Sequence, residues 1–171
     1  KMHFITNHDE NSWAGTEFDR LGDAVGAFAV LTATIPGMIL LYNGQEAGFN
    51  RMLEFFEKDQ IDWNDFAWHD FYKTLLHLKK DNKALWNGLA GGEIKRVYTN
   101  NDDCIFAFTR EKDGDKVFVV LNLSVQELDV NFTSGDFMGD YTEVFSQQPY
   151  SLALDAHFLM QPWSYKVFSS R

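Results

Sequence analysis

An amide, an imidazole and a carboxylate follow one another near the start of the chain, directly after a short apolar segment. They are Asn7, His8 and Asp9, and residues 4–6 precede them. Side chains of these types at the carboxyl end of a strand can hold a hydroxyl-rich ligand, because each buried hydroxyl group needs a hydrogen-bond partner. The alternative interpretation is a strand end that polar residues merely cap.

A second polar segment, residues 43–46 (Asn-Gly-Gln-Glu), follows the apolar residues 38–42. Between the two polar segments, apolar residues recur at helical spacing over residues 22–35, and Pro36-Gly37 ends that pattern. The order predicts a strand, a helix and a second, parallel strand. Ligands bind at the carboxyl ends of parallel strands in α/β folds, so the second segment favours the functional interpretation of the first.

The remaining elements of the first half are less regular. Residues 10–18 are polar and contain a glycine, which predicts a loop. Residues 48–66 have mixed character and also predict a loop. Apolar residues at helical spacing then predict a second helix over residues 68–82.

The hydrophobic period changes beyond Gly91-Gly92 from helical to alternating. We therefore predict two domains, residues 1–90 and residues 91–171. The second domain contains about eight short candidate strands, which is typical of an antiparallel β-sandwich. A hairpin turn is predicted at Asp113-Gly114, since this dipeptide favours the two-residue turns that join antiparallel strands.

Composition and charge exclude several classes of function. The 171 residues are 45% hydrophobic and 16% aromatic, which is enough to form a core. Fifteen Lys and Arg residues stand against 25 Asp and Glu residues, and the net charge of -10 predicts no nucleic-acid partner. The single cysteine, Cys104, excludes an internal disulfide. No apolar segment approaches the roughly 20 residues of a membrane span, so no membrane partner is predicted; the compartment is undetermined.

Several segments resemble the α-amylase family of glycoside hydrolases. Residues 4–9 resemble the last short conserved block of that family, usually Phe-Val-x-Asn-His-Asp. Residues 36–46 resemble its eighth barrel strand, typically Pro-Gly-x-Pro-x-x-Tyr-x-Gly-x-Glu. Residues 71–85 look like the eighth barrel helix, residues 117–124 like a strand of the C-terminal sandwich, and residues 161–163 like its closing segment.

The resemblance implies a (β/α)8 barrel of which this chain supplies strands seven and eight. The family's nucleophilic aspartate belongs to the fourth strand and its acid/base glutamate to the fifth, and neither strand is present. The implied parent protein is a retaining enzyme that hydrolyses α-glucosidic bonds in starch-like glucans or maltooligosaccharides, and this chain alone is expected to be inactive. Ile39 and Lys83 replace prolines of the family pattern, and both changes concern packing rather than chemistry.

The resemblance also assigns roles to individual residues. Asp9 corresponds to the third family carboxylate, a catalytic residue that binds sugar hydroxyl groups. His8 is expected to bind the same sugar, and Asn7 to orient the turn. Arg20 resembles an arginine that often follows this block, with a surface salt bridge as the alternative. Glu46 is expected to support the turn after the eighth strand.

Other candidates have competing explanations. Trp13 is expected either to stack on a sugar or, more commonly for a loop tryptophan, to pack against the protein. The acidic pairs at residues 102–103 and 113–115 lack the spacing of a calcium loop and are predicted to be turns. No metal or other cofactor is therefore predicted for this chain, and calcium is an expectation for the full-length parent only.

A non-catalytic carbohydrate-binding module or a structural module built on the sandwich is the alternative function. A binding module requires exposed aromatic residues, whereas the aromatic residues of the predicted strands mostly alternate toward the core. For the enzyme and for the binding module alike, the expected partner is an α-glucan or maltooligosaccharide. Two barrel strands cannot close a barrel, so the first 90 residues are expected to be rearranged, to be completed by a missing piece, or to self-associate through the exposed strand edges.

Overall fold

The computed structural model describes residues 1–63 and 65–170, which form a mainly helical part followed by an antiparallel sheet. In the helical part, the short strands β1 (Met2–His3) and β2 (Met38–Ile39) pair in parallel. The α-helices described are α1 (His8–Trp13), α2 (Glu17–Leu21), α3 (Val25–Thr34) and α4 (His69–Asp81). Short 3₁₀ helices lie at Gly22–Ala24, Gln45–Ala47, Lys83–Leu85 and Gly88–Ala90.

The predicted order of strand, helix and parallel strand is confirmed. Helix α3 lies between β1 and β2 in sequence, and its residues are mostly small and buried. Gly26 lies against the ring of Tyr165, where an added Cβ atom would be 3.1 Å from the ring. Helix α3 ends at Thr34, shortly before Pro36, because proline provides no N–H group to continue a helix. The prediction of the second helix is confirmed by α4.

The prediction for residues 4–18 is wrong in its local structure. Strand β1 ends at His3, and Asn7 instead caps helix α1, since its side-chain oxygen accepts a hydrogen bond of 2.8 Å from the N–H of Glu10. Thr16 and Asp19 form a capping box at the start of α2. The polar residues that indicated a loop are therefore helix caps, which satisfy backbone N–H groups that a helix start leaves unpaired.

The second part contains the eight antiparallel strands predicted from the alternating pattern. They lie in one sheet in the order β8-β7-β10-β5-β4-β3-β6-β9. Their bounds are β3 (Lys95–Thr99), β4 (Ile105–Lys112), β5 (Asp115–Asn122), β6 (Leu128–Ser134), β7 (Gly139–Glu143), β8 (Pro149–Leu152), β9 (His157–Met160) and β10 (Tyr165–Ser169).

The sheet curls so that its two ends face each other across an aromatic core. Tyr150 of the edge strand β8 contacts Phe158 of the opposite edge strand β9, with ring centroids 6.4 Å apart. Phe168 of the central strand β10 stacks on Phe158 at 5.5 Å. The hairpin between β4 and β5 turns at Asp113 and Gly114, both at positive φ, as predicted.

A second core joins the outer face of this sheet to the helical part. Buried side chains of the central strands, such as Val119 and Leu121, pack with Val30 of α3 and Leu75 of α4. The sheet therefore covers one side of the helices that follow β1 and β2. This contact holds the helical part, and the polar residues after β1, against a rigid scaffold.

Candidate functional site

The structure brings Asn7, His8 and Asp9 together at the start of α1. Asn7 is extended and half-buried, whereas His8 and Asp9 lie in the first helical turn and are exposed. The His8 Nε2 atom lies 3.5 Å from the Asp9 Oδ2 atom. An imidazole and a carboxylate are thus presented side by side to solvent, in a geometry that can donate to and accept from neighbouring hydroxyl groups of one ligand.

Arg20 contacts the backbone on both sides of the segment that carries His8 and Asp9. Its Nη2 atom donates to the carbonyl oxygen of Ile5 at 2.7 Å, and its Nε atom donates to that of Gly15 at 3.2 Å. Its Nη1 atom also lies 3.5 Å from the Glu10 carboxylate. The salt bridge considered for Arg20 is therefore present, and the two backbone contacts make the arginine a link between the end of β1 and helices α1 and α2.

The segment after β2 has a different role from the segment after β1. Glu46 lies half-buried in a 3₁₀ turn, and no contact within the described residues joins it to His8 or Asp9. Its neighbour Gln45 is buried; its oxygen accepts from the N–H of Tyr42 at 2.6 Å, and its amide donates to the Tyr72 hydroxyl at 3.0 Å. The prediction overlooked Gln45, although it lies inside the polar segment 43–46.

Buried polar groups behind this turn have shifted pKa values. Burial raises the pKa of the Tyr72 hydroxyl, and the carboxylate of Glu17 adds to the shift. Burial also raises the pKa of Glu17 itself, although its own backbone N–H and Arg20 act in the opposite direction. Tyr72 belongs to helix α4 and Glu17 to helix α2; both are buried, so they support the scaffold and are not exposed beside Asp9.

Trp13 belongs to an exposed aromatic cluster that the sequence did not predict. Its ring centroid lies 5.2 Å from that of Phe55 and 6.1 Å from that of Phe56. Phe55 also stacks on His8, with centroids 6.4 Å apart and an angle of 25° between the rings. The signal available in the sequence was a pair of aromatic residues between Glu54 and Glu57, in a segment predicted only as a loop.

Two polar contacts fix the loop that carries Phe55 and Phe56. Arg51 forms two hydrogen bonds with the Asp59 carboxylate, at 2.7 and 2.9 Å, and these bonds hold the pKa of Asp59 well below its usual range. Asn11 of α1 is buried; its amide donates to the Arg51 carbonyl at 3.1 Å, and its oxygen accepts from the Leu53 N–H at 2.8 Å. The loop is therefore closed on itself and attached to the helix that carries His8 and Asp9.

In residues 1–63 and 65–170, no three His, Cys, Asp or Glu side chains are grouped so that they could hold a metal ion. The same part of the chain has no helix with the length and apolar character that crossing a membrane requires.

Comparisons with known proteins identify the relatives of this chain. Residues 94–167, which include strands β3 to β9, match the family model of the maltogenic amylase C-terminal domain. Alpha-amylase 2 of Dictyoglomus thermophilum is 22% identical over 94% of this chain and 29% of its own length. These matches confirm the resemblance of this chain to the C-terminal part of α-amylase family proteins.

Two further comparisons are consistent with an α-amylase family chain. The 1,4-alpha-glucan branching enzyme GlgB of Bacillus mycoides is 35% identical over 53% of this chain and 15% of its own length. The structure of a noncanonic maltogenic alpha-amylase, AmyB from Thermotoga neapolitana, shares the fold, with a TM-score of 0.72, 16% identity and coverage of 99% of this chain and 38% of that one. The chain spans less than a third of the length of either curated relative.

Proposed function

We propose that this chain is the C-terminal part of an enzyme that hydrolyses α-glucosidic bonds in starch-like glucans or maltooligosaccharides, with Asp9, His8 and Asn7 at its sugar-binding site. One observation carries the proposal. The Asn7 cap begins α1 at the position that places the His8 imidazole and the Asp9 carboxylate side by side, 3.5 Å apart and exposed, after the carboxyl end of β1. An α-glucan presents pairs of hydroxyl groups that such neighbouring groups can bind.

The proposed roles follow from the chemistry of each side chain. Asp9 accepts hydrogen bonds from sugar hydroxyl groups, and its negative charge stabilises the oxocarbenium-like transition state. His8 binds the same sugar, and Asn7 holds the helix start. Retaining hydrolysis also needs two carboxylates about 5–5.5 Å apart on either side of the bond that breaks, and these belong to barrel strands outside this sequence. The chain alone is therefore proposed to be inactive.

Activity measurements with a chromogenic maltoside test this proposal. We expect no hydrolysis by the 171-residue chain, and hydrolysis by a longer protein that joins it to the upstream barrel strands. In that protein, Asp9→Asn should lower kcat/KM by about 100-fold or more, because a charge used in the transition state is lost. Asp23→Asn, at an exposed position in the 3₁₀ helix Gly22–Ala24, is the matched control. Hydrolysis by the short chain, or equal activity of both variants, would contradict the proposal.

The sheet is proposed to have a structural role in this protein. Its outer face packs against α3 and α4, the helices of the part of the chain that carries the site. Within the described strands, Tyr98 is the one exposed aromatic side chain, whereas Phe108, Phe118 and Phe168 are fully buried. A carbohydrate-binding surface needs a row of exposed aromatic residues, so the observed packing favours the structural module over the binding module.

Self-association is proposed to cover the open edges of β1 and β2. Met2, Phe4 and Met38 on and beside these strands are 51%, 41% and 48% exposed, and each strand has one paired neighbour within the described residues. Size-exclusion chromatography with light scattering should show a mass that rises with protein concentration. Met38→Glu, which places a charge at this edge, should shift the mass toward that of a monomer. A monomer at all concentrations would refute the association.

A further inference from the structure

We propose that Asn87 is a site of spontaneous deamidation, and that the isoaspartate formed there loosens the contact between the helical part and the sheet. The inference goes beyond the proposed function and does not depend on it. The sequence contains the Asn-Gly dipeptides Asn43-Gly44 and Asn87-Gly88. A glycine after asparagine favours the reaction, because the absence of a Cβ atom leaves the glycine nitrogen unobstructed. The structure places the two dipeptides in opposite environments.

Deamidation needs only the dipeptide itself and water. The backbone nitrogen of Gly88 attacks the Cγ atom of Asn87, its proton passes through solvent to the leaving amine, and ammonia departs as a succinimide ring closes. Water then opens the ring. Cleavage of the new Cγ–N bond leaves aspartate, whereas cleavage of the bond between the backbone carbonyl carbon and the nitrogen leaves isoaspartate. Because the ring closes within one dipeptide, its rate depends on how freely the nitrogen reaches Cγ, and no surface for a partner is required.

The chain is free to rotate at Asn87. The side chain is exposed, and no hydrogen bond of its amide is found in the described part of the chain, although the residue directly precedes a 3₁₀ helix. Gly88 has a φ of +59°, and an added Cβ atom would meet no atom within 4 Å. The hydrogen bond from the Gly91 N–H to the Gly88 carbonyl is long, at 3.3 Å. Local rotation that brings the nitrogen to Cγ therefore meets little resistance.

Asn43, in contrast, lies in a turn that the fold holds in place. The N–H of Gln45 donates to the Tyr42 carbonyl at 3.1 Å, and the Gln45 side chain accepts from the Tyr42 N–H at 2.6 Å. Gly44 is buried, and its carbonyl accepts from two further backbone N–H groups, both at 3.0 Å. Ring closure at Asn43 has to break some of these bonds first, so its barrier is higher.

Isoaspartate at position 87 would strain a segment that is fixed at both ends. An isoaspartate routes the chain through its side chain and so adds one atom to the backbone. Arg110 of β4 holds the Trp86 carbonyl at 3.1 Å before this position and the Gly92 carbonyl at 2.8 Å after it. Gly91 lies so close to Trp86 that an added Cβ atom would be 1.8 Å from the carbonyl oxygen. The extra atom therefore displaces one end and weakens the hydrogen bonds that join the sheet to the helical part.

Mass spectrometry of the folded 171-residue chain, incubated at mildly alkaline pH, tests the site. The tryptic peptides of residues 84–95 and 21–51 carry Asn87 and Asn43, and fragmentation locates each conversion of amide to acid. We expect Asn87 to convert at least about 10-fold faster than Asn43, since the turn at Asn43 must lose hydrogen bonds to react. In the urea-unfolded chain the two should convert at similar rates, because each Asn-Gly dipeptide follows an aromatic residue.

Thermal unfolding of the aged chain tests the effect of the product. Ion exchange isolates the converted chain, because both products add one negative charge, and fragmentation gives its isoaspartate content. We expect the midpoint to fall as the isoaspartate content rises. Asn87→Asp, which has the charge but not the extra backbone atom, should melt with the unchanged chain, since the position is exposed. Asn87→Gln, incubated in the same way, should lose the fast conversion and controls for damage elsewhere.

Each outcome supports or overturns one part of the proposal. Equal conversion of Asn87 and Asn43 in the folded chain refutes the site. The same rate ratio in the folded and the urea-unfolded chain also overturns it, because neighbouring residues and not the fold would then select Asn87. An unchanged midpoint of the isoaspartate form refutes the effect on the contact and leaves the site standing. Since no glucan is used, these results are independent of whether the proposed function holds.

Discussion

Replacement of Arg110 by methionine is expected to lower the free energy of unfolding by about 3 kcal/mol or more. The Arg110 side chain is 1% exposed and donates to three backbone carbonyl oxygens. These belong to Gly92, Thr34 and Trp86, at 2.8, 2.8 and 3.1 Å. Methionine fills part of the volume but leaves the buried carbonyl groups of Gly92 and Thr34, and the part-buried carbonyl of Trp86, without this donor. Each buried group left unpaired costs about 1–3 kcal/mol.

The charge of Arg110 is part of this expectation. Burial lowers the pKa of Arg110 to about 10, so the guanidinium remains charged at neutral pH. It contacts the carbonyl of Thr34, the last residue of α3, where the negative end of the helix dipole stabilises a cation. Arg110→Lys should therefore recover only part of the loss, because one ammonium group cannot reach three carbonyls as the planar guanidinium does.

Urea unfolding followed by circular dichroism measures the effect, with the slope of the transition as a check that the unfolded state is unchanged. Lys95→Met is the control, since Lys95 is exposed on the neighbouring strand β3 and should change stability by less than about 0.5 kcal/mol. Equal midpoints for Arg110→Met and Lys95→Met would show that the three hydrogen bonds contribute little.

Gly92→Ala is expected to destabilise the protein by about 3 kcal/mol or more, at the upper end of the cost of overpacking. A Cβ atom added at Gly92 would lie 2.3 Å from the carbonyl oxygen and 2.7 Å from the nitrogen of Glu111 in β4. At Gly91 an added Cβ would lie 1.8 Å from the carbonyl oxygen of Trp86. Backbone atoms cannot move aside as flexible side chains do, so the segment would have to separate from the sheet and from Arg110.

Gly88→Ala is the matched control for this substitution. Gly88 has a φ of +59° and an added Cβ would meet no atom within 4 Å, so only the cost of a left-handed backbone remains, about 1–2 kcal/mol. Thermal unfolding of the two variants should therefore give a clearly lower midpoint for Gly92→Ala. Identical midpoints would mean that the close approach at Gly92 is relieved without cost.

Residues 91 and 92 also show what local patterns miss. The sequence predicts a domain boundary there, because the hydrophobic period changes and glycines interrupt it. In the structure these glycines permit a close backbone approach, and the Gly92 N–H donates to the Ala84 carbonyl at 2.9 Å. The close approach depends on residues 84, 86 and 111 meeting in space, which no local pattern encodes.

The regular elements were predictable because their signals are local. Helices α3 and α4 show apolar residues at helical spacing, strands such as β6 alternate with period two, and the central strand β5 is a continuous apolar segment. Helices α1 and α2 were missed because they have six and five residues, too few to establish a period. Their starts are set by the Asn7 cap and the capping box at Thr16, residue types that are equally common in loops.

The sequence by itself determined the α-amylase family resemblance, the eight strands of the sheet and the presence of Asn7, His8 and Asp9 after an apolar segment, because these are properties of adjacent or regularly spaced residues. The tertiary structure alone decided that Trp13 lies beside Phe55 and Phe56, and that Arg110 joins three distant carbonyl groups. These contacts join residues that are far apart in the sequence; Arg110 and Gly92, for example, are 18 positions apart. Packing of the whole chain brings them together, so they follow from the fold and not from any single segment.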